Sequence, residues 1–407
     1  MRKQRWTVAK VGDRALSAAS SALHTVRRVR RPATEGTPEF DLAYVRSGPV
    51  TDTPAVVIPG GPGLASVLPY RALRRYGAQD GLDIIMVEHR GVGLSRADVS
   101  GVDLPRSAMW VESVLDDIAA VLDRERVDQA FIAGSSYGSY LASAFAVKYP
   151  ERVAGMLLDS ALQATADLSI ERAKIREVFW DSPGRLAKLV REVTEMGQDQ
   201  RVLLDVIRAG YELSGPDLVQ SMLERRARGK SSAAWSALAS YSARDASIVG
   251  LPGYYEFGRA GAIGFRELNY GARPDGKPLD PALTYSLLAP DFPAFVGDPY
   301  DLPAATPGFD WPLVLLVGDR DLRTPPAIAA RTAELAPNAT TVTIDGGHSA
   351  LDNHVLSFEK TLKLLMAGQQ ERLPQVAEQL STLPRRGAGA ELQRFIEILA
   401  WAQAPKH

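Results

Sequence analysis

Residues 130–150, AFIAGSSYGSYLASAFAVKYP, contain the pattern that decides the fold. The stretch opens with a short apolar run typical of a buried strand and closes with a longer segment of helical character. Between them lies Gly134-Ser135-Ser136-Tyr137-Gly138, a G-x-S-x-G sequence. In this position the pattern predicts a sharp turn that exposes Ser136 at the start of the helix. Strand, turn and helix in this order favour an α/β architecture.

Short apolar runs of the same kind recur on both sides of this stretch. The runs VVI, IIMV and MLL are continuous rather than alternating, as expected of strands that are buried on both faces. Helical patterns separate the runs, so we predict a mostly parallel central sheet with helices on both faces. The predicted strands are residues 40–45, 55–58, 84–87, 130–133, 156–158, 314–317 and 341–344.

The character of the chain changes between residues 163 and 304, where helical patterns are followed by an irregular stretch rich in Pro, Gly and Tyr. We interpret residues 163–304 as a helical cap inserted into one α/β core, which residues 37–162 and 305–407 form. Residues 1–36 are predicted to be a separate N-terminal arm.

The arm is strongly basic, with nine Lys or Arg and one acidic residue among its first 32 positions. Apolar residues three or four positions apart predict an amphipathic helix in it. Such a helix can be solvated, docked on the core, or in contact with a membrane surface or a partner. The apolar positions are Val8, Val11, Ala15, Ala19, Leu23 and Val26.

Composition excludes several classes of function. The 407 residues include no cysteine, which rules out disulfides, thiolate metal sites and cysteine nucleophiles. A net charge of -1 argues against nucleic-acid binding. The sequence contains no run of 18 apolar residues, which argues against a membrane-spanning helix. The glycine-rich loop near residue 60 lacks the lysine of a P-loop, which argues against phosphate binding there. We therefore expect no cofactor and no metal, and a cytoplasmic location.

A serine nucleophile needs a base and an acid that orients it. Among the five histidines, His348 is the best candidate, because it follows a predicted strand and the pair Gly346-Gly347 and opens a helix. The loop after the preceding strand, Gly318-Asp319-Arg320-Asp321, offers Asp319 or Asp321 as the acid. For the oxyanion, Pro59-Gly60-Gly61-Pro62-Gly63 supplies unobstructed backbone, and we predict the Gly61 and Tyr137 amides as donors.

Five motifs in order carry a resemblance to a known family. They are Gly60-Gly61-Pro62-Gly63, His89-Arg90-Gly91-Val92-Gly93-Leu94-Ser95, the G-x-S-x-G sequence, Gly318-Asp319-Arg320-Asp321-Leu322-Arg323-Thr324-Pro325 and Gly347-His348. Over residues 40–365 the chain resembles the prolyl aminopeptidase (proline iminopeptidase) and tripeptidyl aminopeptidase family of α/β-hydrolases. The resemblance implies that Ser136 is the nucleophile, Asp321 the orienting acid and His348 the base.

The chain departs from the family pattern at two places near the site. Pro59 stands where the family usually has a histidine, and Glu88-His89 replaces Asp-Gln. The family's cap carries acidic residues that hold the free amino group of the substrate. By this resemblance, Glu256 and Glu267 in the irregular part of the insertion are candidates for that role, with Glu267 slightly preferred.

Three functions follow from these observations. The first is an aminopeptidase that releases N-terminal residues, including proline, from peptides through an acyl-enzyme. The second is a carboxylesterase or lipid-ester hydrolase that uses the same residues, because one fold hosts many substrates. The third, a noncatalytic binding protein with a hydrolase fold, is disfavoured because such a protein would normally have lost one of Ser136, Asp321 and His348.

Overall fold

The computed structural model describes residues 25–230, 232–247, 253–386 and 388–402, and an eight-stranded sheet forms their centre. The strand order is β1-β2-β4-β3-β5-β6-β7-β8. Strands β3 to β8 run parallel, whereas β2 pairs antiparallel with both β1 and β4. The strands are β1 Val26–Arg31, β2 Phe40–Ser47, β3 Ala55–Ile58, β4 Ile84–Val87, β5 Ala130–Ser135, β6 Val153–Asp159, β7 Leu313–Gly318 and β8 Ala339–Ile344.

Apolar side chains cover both faces of this sheet, because successive residues of a strand point to opposite sides. In β6, Leu157 and Leu158 belong to two separate hydrophobic clusters. The predicted α/β class, a mostly parallel sheet with helices on both faces, is confirmed. The core helices are α1 Arg71–Gln79, α2 Val111–Glu125, α3 Tyr137–Lys148, α10 Leu302–Ala305, α11 Pro326–Leu335, α12 Ala350–Asn353, α13 Val355–Met366 and α14 Leu373–Thr382.

Between β6 and β7 the chain leaves the sheet and forms helices, and we call the part of the predicted insertion that precedes α10, residues 163–301, the cap. The helices share a hydrophobic cluster of their own, which includes Phe179, Val190 and Leu204. Short 3₁₀ turns and a π-helical turn connect them. The helices are α4 Leu168–Arg176, α5 Arg185–Glu195, α6 Gln200–Ser214, α7 Pro216–Ala227, α8 Ala233–Ser247 and α9 Phe257–Glu267.

The C-terminal helix, α15 Ala388–Ala402, packs on cap helices α6, α7 and α8. Its Ile396 is fully buried in the hydrophobic cluster of the cap, and Leu392 and Leu399 pack against the same cluster. This placement departs from the predicted division, which assigned all of 305–407 to the core. The apolar positions 392, 396 and 399 are three or four residues apart and therefore share one helix face, and that face meets the cap.

The prediction of a helical arm is wrong at its C-terminal end, where Val26–Arg31 form the edge strand β1. Pairing with β2 satisfies the backbone groups on one side of this strand, and three of its four arginines, Arg27, Arg30 and Arg31, contact carboxylates. Arg27 contacts Glu125 at 2.6 Å and Arg31 contacts Asp117 at 2.8 Å. The other helix-forming positions proposed for the arm, up to Leu23, lie outside the described residues. No helix in the described part of the chain is long and apolar enough to span a bilayer.

Candidate active site

Ser136 lies on a tight turn between β5 and α3. Its backbone is at φ 54° and ψ -121°, a left-handed conformation that costs free energy for a residue with a side chain. The turn requires glycine on both sides. A Cβ atom on Gly134 would lie 2.0 Å from the Gly138 carbonyl oxygen, and one on Gly138 would lie 2.1 Å from the Ile58 carbonyl oxygen. This close packing holds the Ser136 side chain at the start of α3.

Three side chains from separate loops form a continuous chain of hydrogen bonds. The Ser136 hydroxyl donates to His348 Nε2 at 2.9 Å, and His348 Nδ1–H donates to the Asp321 carboxylate at 3.0 Å. Ser136 follows β5, Asp321 follows β7 and His348 follows β8, so all three lie at the carboxyl ends of parallel strands. An imidazole held in this way can take a proton from a serine hydroxyl.

The structure brings Asp321, and not Asp319, to the imidazole. Asp321 is fully buried, and it also accepts hydrogen bonds from the Arg323 and Thr324 amides at 2.9 Å each. The Asp319 side chain is 48% exposed and accepts from the Gly346 amide at 3.0 Å. The loop sequence by itself leaves these two acids open, whereas the family resemblance selects Asp321, and the fold separates the two by burial.

Burial and charge act in opposite directions on this pair. Burial alone would raise the pKa of Asp321, but the adjacent imidazole and the hydrogen bonds bring it below its ordinary value. Burial alone would lower the pKa of His348, whereas the Asp321 carboxylate raises it, and the net shift is upward. The pair therefore favours an ionised Asp321 and stabilises the imidazolium form of His348.

The loop after β3 approaches Ser136 from the other side. A Cβ atom on Gly60 would lie 3.3 Å from the Ser136 Cβ, so this loop is in contact with the serine. Within the described residues, neither the Gly61 amide nor the Tyr137 amide donates to a protein acceptor. Two such amides beside a nucleophile are the donors that an oxyanion requires.

His89 supports Tyr137, the residue that follows the serine. The Tyr137 hydroxyl donates to His89 Nε2 at 3.1 Å, and His89 Nδ1–H donates to the Arg90 carbonyl at 2.6 Å. Burial lowers the pKa of His89 to about 4, so the ring is neutral and can accept from the tyrosine. Glu88 beside it accepts from the Ser66 and Val67 amides at 2.6 and 2.9 Å, which holds the loop after β3.

Asp159, at the end of β6, is a site residue that the sequence analysis missed. Its carbonyl oxygen accepts from the Ser136 amide at 2.9 Å, and its carboxylate accepts from the Ala350 and Leu351 amides at 3.0 and 2.9 Å. Burial raises its pKa to about 6. Asp159 therefore joins the turn of Ser136 to the helix that follows His348. Its position after the run MLL at a predicted strand end was the available signal.

A family model described as the alpha/beta hydrolase fold matches residues 53–355, about three quarters of the chain. The chain belongs to this family. A probable proline iminopeptidase of Leptolyngbya boryana is 30% identical over 117 residues, which are 29% of this α/β-hydrolase and 34% of that protein. The matched segment thus spans about a third of the length of this relative.

Among solved structures, this α/β-hydrolase is similar to a proline iminopeptidase of Mycobacterium smegmatis, with a TM-score of 0.49 and 15% identity over 86% of this chain and all of that chain. It is also similar to a thermophilic esterase of Thermogutta terrifontis, with a TM-score of 0.44 and 20% identity. That match again covers 86% of this chain and all of the other.

Two cavities meet at Ser136 in this α/β-hydrolase, and Gly61, Tyr285, Arg323 and His348 line both. The larger, about 440 Å³, we call the apolar branch, and the smaller, about 180 Å³, the polar branch. The apolar branch is further lined by Leu64, Leu73, Leu213, Tyr254, Tyr255, Leu351 and Leu392, and also by the charged or polar residues Glu212, Asp352, Asn353 and Arg386. The polar branch includes Asp167, Glu171, Arg208, Asn269 and Thr284.

Two cap glutamates, Glu171 and Glu212, reach these cavities, and sequence reasoning missed both. Glu171 contacts Arg208 at 3.1 Å, and Glu212 contacts Arg323 at 3.3 Å. Burial raises the pKa of Glu171 to about 7, although Arg208 acts in the opposite direction. Neither residue lies in a recognisable motif. A glutamate within a helix carries no local sequence signal of its function.

Glu212 is also where the cap meets the loop of His348. A Cβ atom on Gly347 would lie 2.5 Å from the Glu212 Cβ and 2.6 Å from its carbonyl oxygen. The Glu212 carboxylate accepts from the Leu322 amide at 3.2 Å. Helix α6 thus contacts both the loop of His348 and the loop of Asp321.

The structure places Glu256 and Glu267 away from the cavities, in contrast to the expectation from the resemblance. Within the described residues, neither lines the apolar or the polar branch. Glu256 contacts Arg96 at 2.5 Å and accepts from the Gly93 amide. Glu267 accepts from the Val111 amide at 2.8 Å, at the start of α2, and burial raises its pKa to about 7. The carboxylates of Glu256 and Glu267 thus form contacts between the cap and the core.

Proposed function

We propose that this α/β-hydrolase is a serine hydrolase that works through an acyl-enzyme. The hydrogen-bond chain from Ser136 through His348 to Asp321 is the observation that carries the proposal. Its lengths, 2.9 and 3.0 Å, are those of a serine, base and acid arranged for nucleophilic attack. A noncatalytic role would require neither this buried chain of hydrogen bonds nor the strained backbone of Ser136.

In the proposed reaction, Ser136 Oγ attacks the substrate carbonyl carbon while His348 Nε2 takes the hydroxyl proton. The Gly61 and Tyr137 amides donate to the oxyanion, and Asp321 stabilises the imidazolium through Nδ1–H. Collapse of the intermediate expels the amine or alcohol, which receives the proton from His348. Water, activated by the same imidazole, then attacks the acyl-enzyme and releases the acid.

For the substrate, we propose a peptide with a free N-terminus, including one that begins with proline. Part of the support is the partial match to relatives named as proline iminopeptidases. The rest is the charge of the cavities, whose lining includes the carboxylates of Asp167, Glu171, Glu212 and Asp352 and the guanidinium groups of Arg208, Arg323 and Arg386. This excess of carboxylates would attract a substrate ammonium, and a bound ammonium would keep Glu171 ionised.

A carboxylesterase remains the second candidate, because each of the two cap glutamates already has an arginine partner and the larger branch is apolar. Aminoacyl arylamides and aryl esters with matched leaving groups separate the two functions. An aminopeptidase should cleave the free-amine arylamides and lose them as substrates when the amine is acylated. Rapid ester cleavage with no turnover of free-amine arylamides would select the esterase.

A further inference from the structure

The apolar branch is built from three separate parts of the chain. The core contributes Leu64 and Leu73, the cap contributes Leu213 and Tyr254, and the C-terminal helix contributes Leu392. With about 440 Å³, the branch lies within the size range of cavities that bind small organic molecules. It opens directly onto Ser136 and His348, which line it.

The two branches differ in the polarity of their lining, so each branch should bind a different half of the substrate. Against the leucine side chains that line the apolar branch, a charged or strongly polar group would lose its hydration without gaining a partner, although Glu212, Asp352 and Arg386 also line this branch. In the polar branch it meets Glu171, Arg208 and Asn269.

We infer that the apolar branch binds one half of the substrate as an alkyl or aryl group, and that Leu392 of the C-terminal helix limits its length. The inference rests on the proposed serine hydrolase function, since it places the scissile bond at Ser136. It holds whether the bond is an amide or an ester. Helix α15 is then part of the substrate site, although 256 positions separate Leu392 from the serine.

Position along α15 supports the role of Leu392 and supplies a control. Leu392 lies on the face that meets the cap and the cavity, whereas Ile398 is 63% exposed and lines neither branch. Both are apolar residues of one helix, so tryptophan at position 398 controls for the effect of the substitution on the helix itself. Only the change at position 392 alters the branch.

Alkyl fluorophosphonates that differ only in chain length test the inference on the full-length protein. The Ser136 oxygen forms the bond to phosphorus, fluoride leaves, and His348 takes the hydroxyl proton. We expect the second-order labelling rate to rise from methyl to octyl by up to about fourfold for each methylene that becomes buried, and then to level off. The rate is followed by intact-protein mass spectrometry.

Leu392→Trp should slow labelling by the octyl probe by about tenfold or more, and by a larger factor than labelling by the methyl probe, because it excludes two or more methylenes. Ile398→Trp should leave both rates unchanged. Leu392→Ala, which is milder for folding, should move the plateau to longer chains. Circular dichroism establishes that each variant is folded.

Equal labelling by methyl and octyl probes, or equal effects of tryptophan at 392 and 398, would overturn the inference and leave the serine hydrolase proposal standing. An unchanged plateau in Leu392→Ala would overturn the role of Leu392. Failure of every probe to label Ser136 would refute the proposed function itself, and this inference with it.

Discussion

The core and the cap supply the same cavity with residues of different kinds. The core residues Ser136, Asp321 and His348 lie on loops at strand ends, where backbone hydrogen bonds and glycine contacts fix their positions. The cap residues Glu171 and Glu212 lie within helices and are held by ion pairs to arginines. Under the proposed function, the core performs the bond chemistry and the cap recognises the substrate.

The largest effect should come from the core serine. Ser136→Ala removes the nucleophile, so kcat should fall by about 10⁶-fold while the fold is retained. The variant should also lose all labelling by a methyl fluorophosphonate. Turnover that matches the wild type would show that another group attacks the substrate and would remove the basis of the comparison.

The two acids of the loop after β7 offer a matched pair. Asp321→Asn should reduce kcat by about 10⁴-fold, because the amide can favour the wrong tautomer of His348 and does not stabilise the imidazolium. Asp319→Asn should change kcat by less than about threefold, since its exposed side chain does not contact the imidazole. Similar losses in both variants would contradict the assignment.

Cap variants should affect binding rather than bond cleavage. Glu171→Gln and Glu212→Gln should raise KM for aminoacyl arylamides by about 10- to 100-fold, the range for a lost hydrogen bond to a charged group, and leave KM for aryl esters unchanged. Glu177→Gln, in an exposed part of the same segment, is the control. Wild-type KM in both glutamine variants would mean that these carboxylates do not bind the amine.

The pH profile should report the core histidine. Because the imidazole must be neutral to take the serine proton, kcat/KM for a neutral ester should rise about tenfold per pH unit until the pKa of His348 is passed. That pKa lies above the ordinary 6.5, since the ionised Asp321 stabilises the imidazolium. In Asp321→Asn the midpoint should move to lower pH. A midpoint that stays in place would show that Asp321 does not set the pKa.

The smallest effect on activity is expected where the cap is joined to the core. Glu256→Gln weakens the contact with Arg96 and should lower the free energy of unfolding by about 1–3 kcal/mol. Its kcat should stay within about twofold, because Glu256 does not line the cavities. Denaturant titration and ester kinetics measure the two quantities. A large loss of activity at unchanged stability would show that Glu256 contributes to the substrate site after all.

Sequence patterns predicted the sheet and the strand-end loops because these depend on local signals. The continuous apolar runs of β3 to β7 reflect burial on both faces of the sheet. The G-x-S-x-G sequence reflects a turn at Ser136 that leaves room only for glycine at positions 134 and 138. The positions of Glu171 and Glu212 depend on tertiary contacts with Arg208 and Arg323, which leave no local trace.

The edge strand β1 shows the same limit. Its sequence VRRVRR carries no alternating apolar pattern, and the strand exists because β2 and acidic partners such as Glu125 and Asp117 lie beside it. Apolar spacing before Val26 suggested a helix instead. Similarly, the resemblance directed attention to Glu256 and Glu267, and only the fold shows that their carboxylates bind core amides and Arg96.

The close contact between Gly347 and Glu212 bears on how such a protein can diversify. Because a Cβ atom added at Gly347 would lie only 2.5 Å from the Glu212 Cβ, there is no room for a side chain between the histidine loop and helix α6. A cap transplanted from another hydrolase would have to reproduce this helix surface, or the imidazole would shift. New specificities should therefore arise more readily by exchanging single residues along the branches than by exchanging the cap as a module.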